Sequence, residues 1–337
     1  MRLILDKKFI LFYEGKIMSN AKMQDKYLPF SKEELLLHFA PVGKEREPNI
    51  KQLEYYSKSI ERYEKYKEEN KNILGKSLRE IKGPCQIQKD ERFWTVNALM
   101  NIYHNKNRVN DLCMLFEKAF GKKVPISIEI DSWEECLNSD NLKLYFEVDL
   151  PSPPSYKNNL CSLYKEDKIQ EHQIIPFIIA SAHDKKILEG STQVDALILN
   201  PDNGFNILIE AKVLSDISIS VTYDVVRNQI ARNIDAMIEK KKKLRDPLKK
   251  RDPKKSLFLL ITPRLFKDNP TSRLYGYNIR EYQDKNKGED ALLKDLPHRT
   301  KEELRNIPSR IGWLTWEDFK EVNKKCSPWS LEKENYL

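Results

Sequence analysis

Residues 191–213, STQVDALILNPDNGFNILIEAKV, confine the fold more than any other stretch. Two runs with strand-like alternation, 191–199 and 205–213, flank an Asn-Pro-Asp-Asn-Gly turn signal. The pattern predicts an antiparallel hairpin. With a four-residue loop at 201–204, residue 200 pairs with 205, and Asp195 falls opposite Glu210. Along the second run, Phe205, Ile207, Ile209, Ala211 and Val213 share one face, and Asn206, Leu208, Glu210 and Lys212 share the other. In the first run Val194, Ala196 and Ile198 lie on one face, with Gln193 and Asp195 on the opposite one. Directly opposed residues of an antiparallel pair share a face, so Asp195, Glu210 and Lys212 converge on one patch.

Further elements follow from periodicity. Residues 49–74 read as a helix, with Leu53, Tyr56, Ile60 and Tyr63 at three- and four-residue steps. Gly83-Pro84 is a break. RFWTVNALMNIYH and RVNDLCMLFEKAFG, within 92–120, read as two helices, the second closing on Gly121. VPISIEI (124–130) and LKLYFEV (142–148) alternate like strands. PSPPSY (151–156) reads as a long surface connection, and QIIPFIIAS (173–181) as a buried element, although Pro176 argues against a central strand. A helix is expected over 223–244. SLFLLIT (256–262) fits a strand covered on both faces, and RIGWLTWEDFKEV (310–322) a short strand entering a helix at Thr315. Trp313 and Trp316 read as core residues.

The chain has 337 residues, a third of them charged, and no apolar run long enough to span a bilayer. Charges interrupt the apolar patch of the first twenty residues and no small-residue cleavage site follows, so a signal peptide is not expected; Met18 and Met23 are alternative starts. The five cysteines form no CxxC pair and read as reduced, cytoplasmic thiols. No phosphate-binding glycine loop is present, and the five histidines form no HxH or HxxxH pair. Net charge is +8, and residues 240–255, KKKKLRDPLKKRDPKK, carry ten Lys or Arg against two Asp, matching the whole excess. Such a tract suggests a polyanion partner, with Lys241, Lys242, Lys243, Arg245, Lys249, Lys250 and Arg251 as candidate nucleic-acid contacts.

Two facing carboxylates repel unless a cation intervenes. Hard divalent ions favour one or two carboxylates, with water and substrate phosphate completing the shell. Asp195 and Glu210 are therefore candidate metal ligands. Lys212 is a candidate to orient or deprotonate an attacking water, or to neutralise charge on a phosphate. Asp202, in the Pro-Asp-Asn-Gly turn, has an acceptable spacing to Glu210 but is turn chemistry, expected to cap its own backbone. Asp195 lies mid-strand among apolar residues, where a lone carboxylate is hard to explain otherwise.

Asp195, then Glu210-Ala211-Lys212, then a helix and a short apolar strand, resemble the PD-(D/E)xK nuclease superfamily, whose fold is restriction-endonuclease-like. The resemblance spans 105–262 at its widest and is carried by 191–262. Val194 replaces the superfamily's proline before the first acid. The resemblance implies an α/β fold with an αβββαβ core and a mixed central sheet, Mg²⁺ (or Mn²⁺) as cofactor, Asp195 and Glu210 as metal ligands, and Lys212 as the catalytic lysine. It implies a site-lining role for Gln229 on the following helix, toward water or phosphate. It also implies an extra acid from the first core helix, with Glu117 the candidate and Glu147 and Glu189 behind it. Residues 1–90 would then be a helical accessory region for recognition or dimer contacts, and 91–337 the nuclease domain. The expected function is a Mg²⁺-dependent endonuclease on double-stranded DNA, in restriction or defence, as a possible homodimer. The alternatives are an RNA, repair or junction-specific nuclease, or a non-catalytic nucleic-acid-binding protein on the same scaffold.

Overall fold

The computed structural model describes residues 27–39, 50–69, 87–126, 130–165, 190–217, 227–239, 244, 246–327 and 329. Five strands form one open sheet in the order β1 (Lys143–Leu150), β2 (Thr192–Leu199), β3 (Asn206–Ala211), β4 (Ser256–Thr262) and β5 (Ile311–Thr315). β1, β2 and β3 run antiparallel, and β3, β4 and β5 run parallel, so the sheet is mixed. The helices used below are α1 (Lys32–Leu36), α2 (Ile50–Glu69), α3 (Glu91–Tyr103), α4 (Arg108–Phe120), α5 (Pro154–Lys165), α6 (Gln229–Ile238), α7 (Leu274–Tyr282) and α8 (Trp316–Val322).

The β2–β3 hairpin has the expected register. Asn200 N–H donates to Phe205 O at 2.8 Å, and Ile198 faces Ile207. Asn200 and Asn203 build the turn, accepting at Oδ1 from the Asp202 and Phe205 amides at 3.1 and 2.9 Å. Gly204 has φ +81°, and a Cβ there would lie 3.0 Å from the Asp252 Cβ. Asp202 does not cap its own backbone. Its carboxylate accepts from Ser139 and Asn141 side chains, tying the turn to the approach to β1.

Both faces of the sheet are covered. Leu144, Phe146, Ala196, Ile198, Ile207, Ile209, Leu257, Leu259 and Leu314 pack with α2, α3 and α4, and the α2 residues in that cluster are Leu53, Tyr56, Ile60 and Tyr63. On the other face Leu197, Leu208, Phe258 and Leu260 meet Ile230, Ala231, Ile234 and Met237 of α6 and Tyr275, Ile279 and Tyr282 of α7. Every β4 residue is buried, as a strand between two parallel neighbours under helices on both sides requires. Trp313 and Trp316 are both buried, and Thr315 caps α8 with a capping box.

Three expected elements differ. Residues 124–126 and 130 are irregular rather than a strand, and 127–129 lie outside the described residues. Pro125 lacks the N–H that a ladder needs, while Val124 and Ile130 are buried in the core cluster. PSPPSY does not stay a surface connection, because Pro154 opens α5 and Tyr156 is buried. Proline is well suited to a first helical position, where its missing N–H has no intrahelical partner to lose. The helix expected over 223–244 is shorter within the described residues. Asn228 caps it, its side chain accepting from Ala231 N–H, and the backbone turns extended at Glu239. Residues 173–181 and Glu189 lie outside the described residues.

Candidate active site

Ala196 faces Ile209, and one further step of that register sets Asp195 opposite Glu210. Hydrogen-bonded pairs alternate along an antiparallel ladder, so Val194 and Ala211 would be the next such pair after Asn200 and Phe205 in steps of two. There the Ala211 N–H donates to Asp195 Oδ2 instead, at 2.7 Å. The carboxylate takes the place of a backbone carbonyl and is pinned at the end of β3. On the other side of β2, the pairs Phe146–Ala196 and Val148–Val194 bracket Glu147 opposite Asp195. Glu147 has φ 51°, the one non-glycine residue with positive φ among the described residues. Three acids, Glu147, Asp195 and Glu210, thus fall in one row across β1, β2 and β3.

Glu210 is buried, and both of its oxygens accept hydrogen bonds. Its Oε1 accepts from Lys212 Nζ and from Gln229 Nε2, each at 2.6 Å, and its Oε2 accepts from Asn233 Nδ2 at 2.9 Å. Thr192 Oγ1 donates to Asn233 Oδ1 at 2.6 Å, so β2 fixes the amide that fixes the acid. Lys212 Nζ also lies 3.6 Å from Glu91 Oε1 at the start of α3, and Ser215 Oγ donates to Glu91 Oε2 at 2.6 Å. Backbone bonds hold Lys212 from both sides. Its N–H donates to Ile261 O, and its carbonyl accepts from Trp316 Nε1, both at 2.9 Å.

Electrostatics follow from this crowding. Burial pushes Asp195 well above the usual carboxylate range, and the nearby charge of Glu210 adds to the shift. Burial also raises Glu210, against the opposing pull of Lys212. Glu147 is pushed up to about 7 by burial, with Arg92 pulling it down. Burial alone would lower Lys212, but Glu210, Asp195 and Glu91 outweigh it and hold the ammonium above its ordinary value. These acids favour the ammonium form of Lys212.

Asp195 and Glu210 fit a hard divalent ion by their donor chemistry. Burial disfavours the charged form of both acids, and the charge of Glu210 adds to the shift of Asp195, a cost that a bound cation would relieve. Among the described residues no three His, Cys, Asp or Glu side chains form a ready-made metal cage. A two-carboxylate site of the magnesium type does not need one.

No family model, curated protein or solved structure matches the chain.

The other expected residues are distributed as follows. Gln229 reaches the site, but it binds Glu210 directly. Glu117 does not join it, which corrects the expected extra acid. It is exposed on α4 and lines a surface pocket with Arg108, Cys113 and Glu134. The acid supplied by a helix is Glu91. Glu147, the second candidate, stands in the acid row. The basic tract divides. Lys241, Lys242, Lys243 and Arg245 lie outside the described residues. Lys249 pairs with Asp246 at 2.6 Å, and the Asp252 N–H donates to Gly204 O at 3.0 Å, so this segment borders the hairpin turn. Glu210 lies six residues beyond Gly204, roughly 20 Å along an extended strand. Arg251 is not a surface contact at all. It is buried, and Nη2 donates to the Ala236 and Met237 carbonyls, capping the end of α6. Sequence reasoning missed Glu91, Arg92 and Thr192; Asn233 falls one turn from Gln229 on the same helix stripe, which the spacing shows, but its contact with Glu210 was not foreseen. The Asp90-Glu91 pair ahead of the α3 apolar run was the available signal for Glu91, since acids collect in the first turn of a helix.

Proposed function

We propose that the chain is a divalent-metal-dependent nuclease of the PD-(D/E)xK type, acting on double-stranded DNA. The observation that carries this reading is the convergence of Asp195, Glu210 and Lys212 at the adjoining ends of β2 and β3. The order of the strands and flanking helices supports it: helix, three antiparallel strands, helix α6, then a parallel strand, as an αβββαβ core requires, with α5 and β5 as additions.

Asp195 and Glu210 would hold the ion, which when bound polarises a phosphoryl oxygen and supplies activated water. Gln229 and Asn233 orient Glu210 through its two oxygens, so the acid presents one geometry. Thr192 fixes Asn233 in turn. Lys212 contributes a buried positive charge beside the acids, suited to the charge that develops on a phosphate during cleavage. Glu91 steadies that ammonium from α3. A homodimer carrying two such sites would cut both strands, which fits the expected restriction or defence role.

Incubation with supercoiled plasmid and Mg²⁺ tests the reading. Native protein should nick or linearise the plasmid, chelation should stop it, and Asp195→Asn and Lys212→Ala should each lower cleavage by about a hundredfold or more while leaving duplex binding intact. Undiminished cleavage by both variants would sink the assignment. Labelled duplex, single-stranded, branched and RNA substrates compared side by side give the substrate class.

A further inference from the structure

A site built from carboxylates needs cationic groups, besides any metal, to hold a polyanion. The basic tract is poorly placed for this: Lys249 lies near the hairpin turn and Arg251 is buried. Lys212 is buried and committed to Glu210. Arg92 differs from all of these. It follows Glu91 in the first turn of α3, and its Nε lies 3.5 Å from Oε1 of Glu147, the residue opposite Asp195. Its guanidinium stacks over the Tyr55 ring at 4.2 Å, and the Tyr55 hydroxyl is itself held by Asp90 at 2.7 Å. The Arg92 side chain is 34% exposed against 4% for Glu147, so the pair is sealed on its acidic side and open on its cationic side. Among the described residues nothing accepts a hydrogen bond from the two terminal nitrogens. Glu147, which anchors the fork, does so from a left-handed backbone in mid-strand, a conformation that costs a non-glycine residue.

We propose that Arg92 grips a phosphate of a nucleic-acid strand beside the row of acids, its terminal nitrogens forming the fork and Tyr55 and Glu147 holding it in place. A planar guanidinium suits two oxygens of one phosphate, and stacking on an aromatic ring fixes its plane. This assignment rests on the nuclease reading and adds to it the residue that holds the substrate.

The test is a salt series of fluorescence anisotropy with a fluorescein-labelled duplex, using Ca²⁺ in place of Mg²⁺ to hold back cleavage. Arg92→Ala should weaken binding about tenfold and lower the slope of log affinity against log salt by about one. Arg92→Lys should restore the slope but not all of the affinity, because an ammonium carries the charge without the fork. Arg92→Ala also strands the buried Glu147 carboxylate. The double variant Arg92→Ala with Glu147→Gln should therefore regain thermal stability while keeping the reduced slope, which a purely structural ion pair would not do. An unchanged slope in Arg92→Ala overturns the assignment while leaving the nuclease reading standing. A native protein that binds no duplex overturns both.

Discussion

Glu147 concentrates two costs in one residue: a left-handed backbone and a carboxyl pushed up to about 7 from an ordinary 4.5. The folded state therefore holds a proton that the unfolded chain has released between those values. This group's contribution to stability is complete below 4.5 and is lost as pH rises through about 7, a change of up to about 3 kcal/mol. Glu147→Gln keeps the shape and removes the titration. Urea denaturation at pH 5 and pH 8 should show native protein losing more stability across the interval than the variant, and parallel losses would count against the shift. At this scale the sequence was informative where geometry is local. The four-residue loop was enough to give the register that sets Asp195 opposite Glu210, but simple alternation fails at Asp195: Val194, expected on the face of Ala196 and Ile198, packs in the cluster on the other side of the sheet. Glu91 was not legible in the same way, because it comes from a helix 124 residues before its partner Ser215, and periodicity says which helix face is buried but not which end meets the sheet.

Among elements, the hairpin turn rests on Gly204. Its φ of +81° disfavours any side chain, and an added Cβ would press on Asp252. Gly204→Ala should destabilise the fold by about 2 kcal/mol, read as a lower urea midpoint with an unchanged slope. An equal midpoint would mean that the turn relaxes freely. The strands were legible because burial enforces alternation or uniform greasiness, as in SLFLLIT. The failures have identifiable causes. VPISIEI alternates, yet Pro125 removes a ladder donor. The prolines of PSPPSY break helices from within but start them well. Within the described residues the helix expected over 223–244 runs only from Gln229 to Ile238. Asn228 is a cap that reads as an ordinary polar residue in a periodic run, and the lysines after Glu239 carry no Gly or Pro to mark a stop.

For the whole molecule, the net charge of +8 proved less informative than its position. A basic tract identifies a polyanion partner only if it faces the site, and linear sequence does not give that. Lys249 and Lys250 lie by the turn, at the opposite end of β3 from Glu210. Replacing both with alanine should reduce duplex affinity less than Arg92→Ala does, measured by gel shift at low salt. A larger loss from the lysine pair would mean that the bound strand runs along the hairpin turn instead. The division into α and β layers was legible in outline, and Leu53, Tyr56, Ile60 and Tyr63 were correctly singled out as one face of a helix. That this face joins the same hydrophobic cluster as the sheet could not be read from spacing.

The substitution of the Asp195 carboxylate for a backbone acceptor at Ala211 gives the molecule its own gauge of occupancy. One oxygen both closes the last rung of the hairpin and belongs to the pair of acids. Whatever draws that oxygen away frees a main-chain proton to trade with solvent, so the exchange rate of a single amide, that of Ala211, registers events at the acids without any label or substrate.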